Sequence, residues 1–207
     1  MVDLTIRAFE TAERYRMPAM LLADGMLGQM MEPVSFPDKI APPQPKPWAL
    51  TGTGEKRKPN IVNSLYLTPA QLEEIVRKRF ERYEIVKQNE VLWDGYRLED
   101  AEYMVVAYGA TARICKAAVE IAREMGVKAG LFRPVTLWPY PEKQLADCAK
   151  RMSRILCVEM SMGQMVDDVR LAVNGCCPVS FYGRTGGIVP TPDEVAQQIA
   201  ELAAAGK

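Results

Sequence analysis

Histidine does not occur among the 207 residues. Its absence removes the usual general base, the commonest metal ligand and every Ser–His or Cys–His nucleophile pair. Chemistry performed by this chain alone would have to use carboxylates, lysine or tyrosine. Cysteine is scarce: Cys115, Cys148, Cys157, Cys176 and Cys177 make an odd number with no Cys-x-x-Cys spacing. That argues against both a disulfide framework and a zinc or iron–sulfur site. Cys115 and Cys148 fall in helical patterns and Cys157 in an apolar run, so they read as small buried hydrophobes. The adjacent Cys176 and Cys177 precede Pro178 in a turn, where a redox role is the minority reading. No apolar run approaches the ~20 residues of a membrane span. The start, MVDLTIRAFE, has the pattern of neither a signal nor a transit peptide, so the expected location is cytoplasmic. Net charge is missing too: 26 basic and 26 acidic side chains cancel, and no long basic run invites nucleic acid or an anionic membrane.

What is present is a change of pattern along the chain. Leu4, Ala8, Phe9, Ala12 and Tyr15 share one helical face, and Pro18 ends that helix. Ala19 to Ala23 then reads as a short buried strand stopped by Asp24-Gly25. One helix and one strand cannot build a core, so this start reads as the last unit of a larger domain. Between Pro33 and Pro59 lie seven of the fifteen prolines, with Gly52, Gly54 and the basic Lys56-Arg57-Lys58. This is expected to be an extended linker with a solvated basic cluster. Thr68-Pro69-Ala70-Gln71 starts a helix, whose stripe of Leu72, Ile75, Val76, Phe80 and Tyr83 predicts packing against a neighbour.

From about Tyr96 the pattern alternates. Strands are expected near Tyr103–Ala107, Ala129–Phe132, Arg154–Val158 and Val179–Tyr182. Helices are expected near Thr111–Met125, Pro141–Lys150, Gly163–Asn174 and Pro192–Ala204, the last opened by the capping box Thr191-Pro192-Asp193-Glu194. The fold class is therefore α/β, a mainly parallel sheet with helices on both faces. Three segments follow: 1–35, a linker and connector helix over 36–95, and the α/β domain over 96–207.

Polar or glycine-rich punctuation closes each apolar run, which is how an open α/β sheet builds its functional edge. That edge gathers Gly109 with Thr111 and Arg113, then Arg133, then Glu159, then Arg184 with Gly186 and Gly187. Helix-start amides and three arginines could hold a phosphate or carboxylate. In the competing reading the glycines serve turns and the arginines pair with Glu159 or a partner subunit. No phosphate-loop or dinucleotide fingerprint is present. Trp138 and Tyr140, held between prolines, are either interface anchors or a lid on the chain's own core. Met162, with Met160 and Met165 around Gly163, suits an adaptable subunit contact or a half-buried core. Asp167 and Asp168 favour a helix dipole, and Asp24 and Glu32 lack a partner base.

Five strings carry a resemblance that covers essentially the whole chain: AFETAERYRMPAMLLADGMLGQMMEPV, EDAEYMVVAYGATAR, LFRPVTLWPYP, EMSMGQMVDDVRLAVNG and YGRTGGIVPTP. With them the chain resembles the alpha subunits of thiamine-diphosphate-dependent 2-oxoacid:ferredoxin oxidoreductases, most of all the branched-chain 2-oxoisovalerate type. The resemblance implies a transketolase C-terminal-like domain, with residues 1 to about 35 ending a thiamine-pyrimidine-binding domain. It implies a multi-subunit enzyme that decarboxylates a 2-oxoacid, reduces ferredoxin through iron–sulfur clusters and makes an acyl-CoA. It places thiamine diphosphate with magnesium, and the clusters, on partner subunits. No cofactor is expected on this chain alone, and no catalytic residue carries over to any position of it. Self-association is a further possible mode of assembly. The rivals are a 2-oxoglutarate- or pyruvate-specific relative, the transketolase-like chain of a lipoyl-linked dehydrogenase, and, from another class, a stand-alone anion-binding module.

Overall fold

The computed structural model describes residues 1–38, 42 and 45–205. Lys39, Ile40, Ala41, Pro43 and Gln44, within the proline-rich stretch, lie outside the described residues. The chain divides into two compact units, 1–21 with 31–83, and 22–30 with 84–207.

In the first unit, α1 (Val2–Tyr15) forms where the helical stripe predicts and ends on Arg16 in the left-handed conformation. The Arg16 guanidinium lies 4.7 Å over the Trp48 ring, and Lys46 pairs with Glu13. The described part of the proline-rich stretch carries no helix or strand, yet its polar side chains tie it together. Asn60 donates to the carbonyls of Pro47 and Ala49 at 2.7 and 3.0 Å, and Arg57 to that of Gly52 at 3.0 Å. Lys56, Arg57 and Lys58 are all exposed, as expected of a solvated cluster, and Arg57 in addition serves its own loop. Ala19 to Ala23 is extended but forms no strand, and all five residues are exposed. A strand needs a ladder partner to satisfy its backbone, and none of the described residues provides one. The short α2 (Gly25–Gln29), capped by the Asp24 side chain at 2.8 Å, was not anticipated.

Helix α3 (Pro69–Asn89) begins at the predicted proline. Its apolar stripe is covered only in part among the described residues: Ile75 and Tyr83 are half-buried, whereas Leu72, Val76 and Phe80 are exposed, Phe80 by 59%. Pairs such as Glu73–Arg77 and Glu74–Lys78 support the helix locally.

The second unit holds a five-stranded sheet in the order β1-β3-β2-β4-β5. The four predicted strands are β2 (Tyr103–Val106), β3 (Ala129–Pro134), β4 (Arg154–Glu159) and β5 (Val179–Gly183), all parallel. An unpredicted fifth, β1 (Trp93–Tyr96), runs antiparallel along β3, pairing Trp93 with Pro134. Its Trp93 ring stacks on Phe132 at 4.9 Å.

Helices α4 (Gly109–Glu124) and α7 (Pro192–Ala204) cover one face, and α5 (Glu142–Ala149) and α6 (Met165–Val173) the other. Strand alternation dictates this division. Val105, Leu131, Leu156 and Val158 face α4 and α7, whereas Met104, Phe132, Ile155 and Cys157 face α5 and α6. The helices arise where expected, and the Thr191 capping box of α7 is complete. Among the described residues no helix is long and apolar enough to cross a membrane.

The approach of β3 to the turn ahead of β2 is unusually close. Arg97 there is left-handed, with φ 55°, and a Cβ on Gly130 would lie 2.6 Å from its carbonyl oxygen. Gly130→Ala is expected to cost about 1–3 kcal/mol by overpacking, read as a lowered midpoint of denaturant unfolding at unchanged slope.

Candidate functional site

Strand β2 sends its crossover toward β3, while β4 sends its own toward β5. The crevice between the carboxyl ends of β2 and β4 is therefore the topological switch point, where open α/β sheets bind ligands. Tyr108 and Gly109 enter it from β2, and Glu159 from β4.

Glu159 is fully buried. The alternation of β4 turns it onto the face covered by α6, whose first residues supply its partners. Its carboxylate accepts from the backbone N–H groups of Gln164 (3.2 Å), Met165 (3.1 Å) and Val166 (2.9 Å). The Ser161 hydroxyl donates to it at 3.1 Å and itself accepts from the Gly163 N–H at 3.1 Å. The Cys157 thiol completes the set at 3.6 Å. Gln164 is the N-cap of α6 but makes no side-chain cap bond, so Glu159 does that work from five residues upstream. Burying a carboxylate costs several kcal/mol, and charge-assisted bonds from a helix start offset that cost here.

The buried charge marks its neighbours. Burial, then Glu159, push the Cys157 thiol above its ordinary range. The half-buried Tyr108 phenol is raised by burial first, then by Glu159, Cys157 and Asp24. Tyr140 is 9% exposed, and its hydroxyl has no hydrogen-bond partner among the described residues. Burial raises that phenol most, with Cys157, Asp168 and Glu159 adding.

The arginines do not converge. Arg133 ends β3 and sits 4.0 Å from Asp94 of β1. Arg184 follows β5, 3.2 Å from Glu194 and 3.3 Å from the Tyr182 hydroxyl. Two strands separate β3 from β5, which at ordinary strand spacing sets these two arginines roughly 14 Å apart. Arg113 is exposed on α4, Thr111 is buried, and Gly186 and Gly187 are exposed in the turn after β5 with positive φ. The oxygens of Glu159 take the α6 amides, while Arg133 and Arg184 face Asp94 and Glu194. Trp138 is 52% exposed and Met162 83%, while Tyr140 packs in the core. Among the described residues no three His, Cys, Asp or Glu side chains cluster as a metal site.

The sequence places Gly183 and the 160–163 loop at the carboxyl edge but does not show the parts that Ser161 and Gly183 play there. A Cβ on Gly183 would collide with the Ser161 carbonyl and the Phe181 ring, so the loop carrying the clamp seats on a bare β5 end. The available signal was a strand-ending glutamate ahead of a helix lacking a Ser, Thr, Asp or Asn cap.

The chain is similar to several known proteins. The family model described as pyruvate:ferredoxin oxidoreductase core domain II matches residues 101–195. A ketoisovalerate oxidoreductase subunit VorB of Methanothermobacter marburgensis is 42% identical over 98% of this chain and 57% of its own length. A 2-oxoglutarate synthase subunit KorA of the same organism is 30% identical over 95% of this chain and 60% of its own. The chain thus spans less than two thirds of these relatives. A structure of 2-oxoglutarate:ferredoxin oxidoreductase from Magnetococcus marinus, with 2-oxoglutarate, coenzyme A and succinyl-CoA bound, shares the fold. Its TM-score is 0.55, at 19% identity, covering 66% of this chain and 24% of that one.

Two outcomes test the clamp. Glu159→Gln keeps the shape but turns an amide N–H₂ toward helix-start donors, and is expected to cost about 2–4 kcal/mol in denaturant unfolding. Tyr140→Phe deletes an unpaired buried hydroxyl and is expected to be neutral or to stabilise by about 1 kcal/mol; a clear loss in thermal unfolding would mean that the hydroxyl has a partner.

Proposed function

The chain belongs to the 2-oxoacid:ferredoxin oxidoreductase family, and on that premise we propose that it forms the C-terminal portion of an alpha subunit of the 2-oxoisovalerate type. The complete enzyme would decarboxylate a branched-chain 2-oxoacid oxidatively, pass the electrons to ferredoxin and form the acyl-CoA. The observation that carries this choice is the 42% identity to a ketoisovalerate oxidoreductase subunit across 98% of the chain, against 30% for a 2-oxoglutarate synthase subunit.

Within that enzyme the role assigned to this chain is structural. Thiamine diphosphate needs a diphosphate–metal site and iron–sulfur clusters need grouped cysteines. The donor set does not fit either group: Cys115, Cys148, Cys157 and Cys177 are buried, and no metal-competent cluster exists among the described residues. Both groups therefore belong to partner subunits in this reading, with ferredoxin and CoA reached through the complex. The anion-binding module is disfavoured because Arg133 and Arg184 stand apart and each has an acidic neighbour. Docking falls instead to the loops at the carboxyl edge, which expose Leu137 and Trp138 after β3, Met162 after β4, and Ile188 and Val189 after β5. Trp138 and Met162 are its proposed anchors.

Reconstitution tests the proposal. With the remaining alpha-subunit sequence and the cofactor-bearing subunits supplied, viologen or ferredoxin reduction is expected to require both a branched-chain 2-oxoacid and CoA. Turnover only with 2-oxoglutarate or pyruvate would overturn the substrate, dihydrolipoamide-dependent turnover would overturn the acceptor, and failure to associate would overturn the assembly role.

A further inference from the structure

The sheet has two edge strands, and they differ. β1 carries Asp94 and Gly95 and runs into the left-handed Arg97, features that discourage further pairing. β5, last in the order β1-β3-β2-β4-β5, reads Val179-Ser180-Phe181-Tyr182-Gly183, with neither charge nor proline. An unguarded edge of this kind is a template for another strand.

The ladder with β4 fixes what that edge offers. The Ile155 N–H donates to the Pro178 carbonyl at 2.9 Å, and the Arg184 N–H to the Glu159 carbonyl at 3.1 Å. Successive residues of a strand turn their backbone groups to opposite sides, so Pro178, Ser180, Tyr182 and Arg184 face β4. Val179, Phe181 and Gly183 therefore present their N–H and C=O groups outward. None of those groups has a hydrogen-bond partner among the described residues.

The outward set is self-complementary. Its three residues are spaced evenly about Phe181. A two-fold axis at that residue sets Phe181 against Phe181 of a second copy, and Val179 against its Gly183. Each is an antiparallel pair that exchanges both hydrogen bonds. Pro178 lies on the β4 side, so the N–H it lacks is not one the pairing needs. The same axis sets α6, which packs on β4 and β5, antiparallel to α6 of the second copy on one face of the joined sheet. The acidic start of one helix, Asp167 and Asp168, then lies toward the Arg170 end of the other, an arrangement that also suits the helix dipoles. Exposed Leu171 stands on this helix. An open depression of about 290 Å³ between α6 and β5, walled by Arg170, Val173 and Val179 among others, lies on the same border. The contact is thus not confined to the strand. With 26 basic and 26 acidic side chains in balance, no net charge repels a second copy.

We infer that β5 joins two copies of this chain antiparallel, about a two-fold axis at Phe181, into one continuous sheet. Isologous contacts of this kind are the commonest in soluble oligomers. This one uses neither Trp138 nor Met162, so it stands independently of the subunit docking proposed above.

Sedimentation equilibrium of the intact chain is expected to give twice the mass of one copy. In that dimer the amides of Val179, Phe181 and Gly183 should resist hydrogen exchange and lose that protection on dilution to monomer. Those of Ser180, Tyr182 and Arg184, bonded to β4, should stay protected in both states. Val179→Pro removes one outward N–H and is expected to give a monomer with unchanged circular dichroism. Should that variant fail to fold, the dilution dependence of the unmodified chain's amides still decides. A monomer at every concentration, a dimer whose three outward amides exchange freely, or a folded and still dimeric Val179→Pro chain would overturn the inference. So would protection that appears only when the cofactor-bearing subunits are added, which would give this edge to another chain.

Discussion

One buried carboxylate sets the geometry of the sheet's carboxyl edge. Glu159 ends β4 inside the protein, where a lone charge is untenable, and survives there because α6 turns its first amides onto it. That requirement fixes where α6 begins, how it leans on β4, and the path of residues 160–163 between them. The same residue's backbone carbonyl accepts from the Arg184 N–H at 3.1 Å, so the loop after β5 is registered on it as well. Gly183 leaves the space in which the Ser161 carbonyl sits. Three consecutive features of the edge thus meet around one residue.

The clamp also decides what the edge can do. A helix start is the ready-made anion site of an α/β fold, and in α6 that capacity is spent internally. The arginines that suggested an external anion are distributed across the sheet and matched with Asp94 and Glu194. What faces outward from the same loops is apolar: Trp138, Met162 and Ile188. A helix start with its amides consumed, beside loops that expose apolar side chains, is the setting of the docking role proposed above.

Much of this was legible from the residues. The four parallel strands and their helices were visible because each apolar run ends in glycine, proline or a charge, and Thr191-Pro192-Asp193-Glu194 marks a helix start by itself. β1 escaped because Trp93-Asp94-Gly95-Tyr96 is short and contains two poor strand formers; only its pairing with β3 makes it a strand. Ala19 to Ala23 misled in the opposite direction, since an apolar run reads as a strand whether or not a neighbour exists. The α3 stripe likewise has the right spacing, yet only Ile75 and Tyr83 of it are half-buried among the described residues. At the site, a glutamate closing a strand was noticeable, but its role was not. Distinguishing a satisfied clamp from a reactive acid depends on three amides that come from residues five to seven positions later.

The strand order has a consequence for the chain's birth. β2 is the earliest of the parallel strands in sequence, yet it lies in the middle of the sheet between β3 and β4. On a ribosome, β2, α4 and β3 can assemble as soon as Pro134 has emerged. The other flank of β2 then stays open until Arg154 and the rest of β4 arrive. Through that interval Met104 and Val106 lack the cover that α5 and α6 later give, and an unpaired strand edge is the hazard of nascent chains. The stretch between β3 and β4 is therefore the part of synthesis in which this fold is most exposed to mispairing.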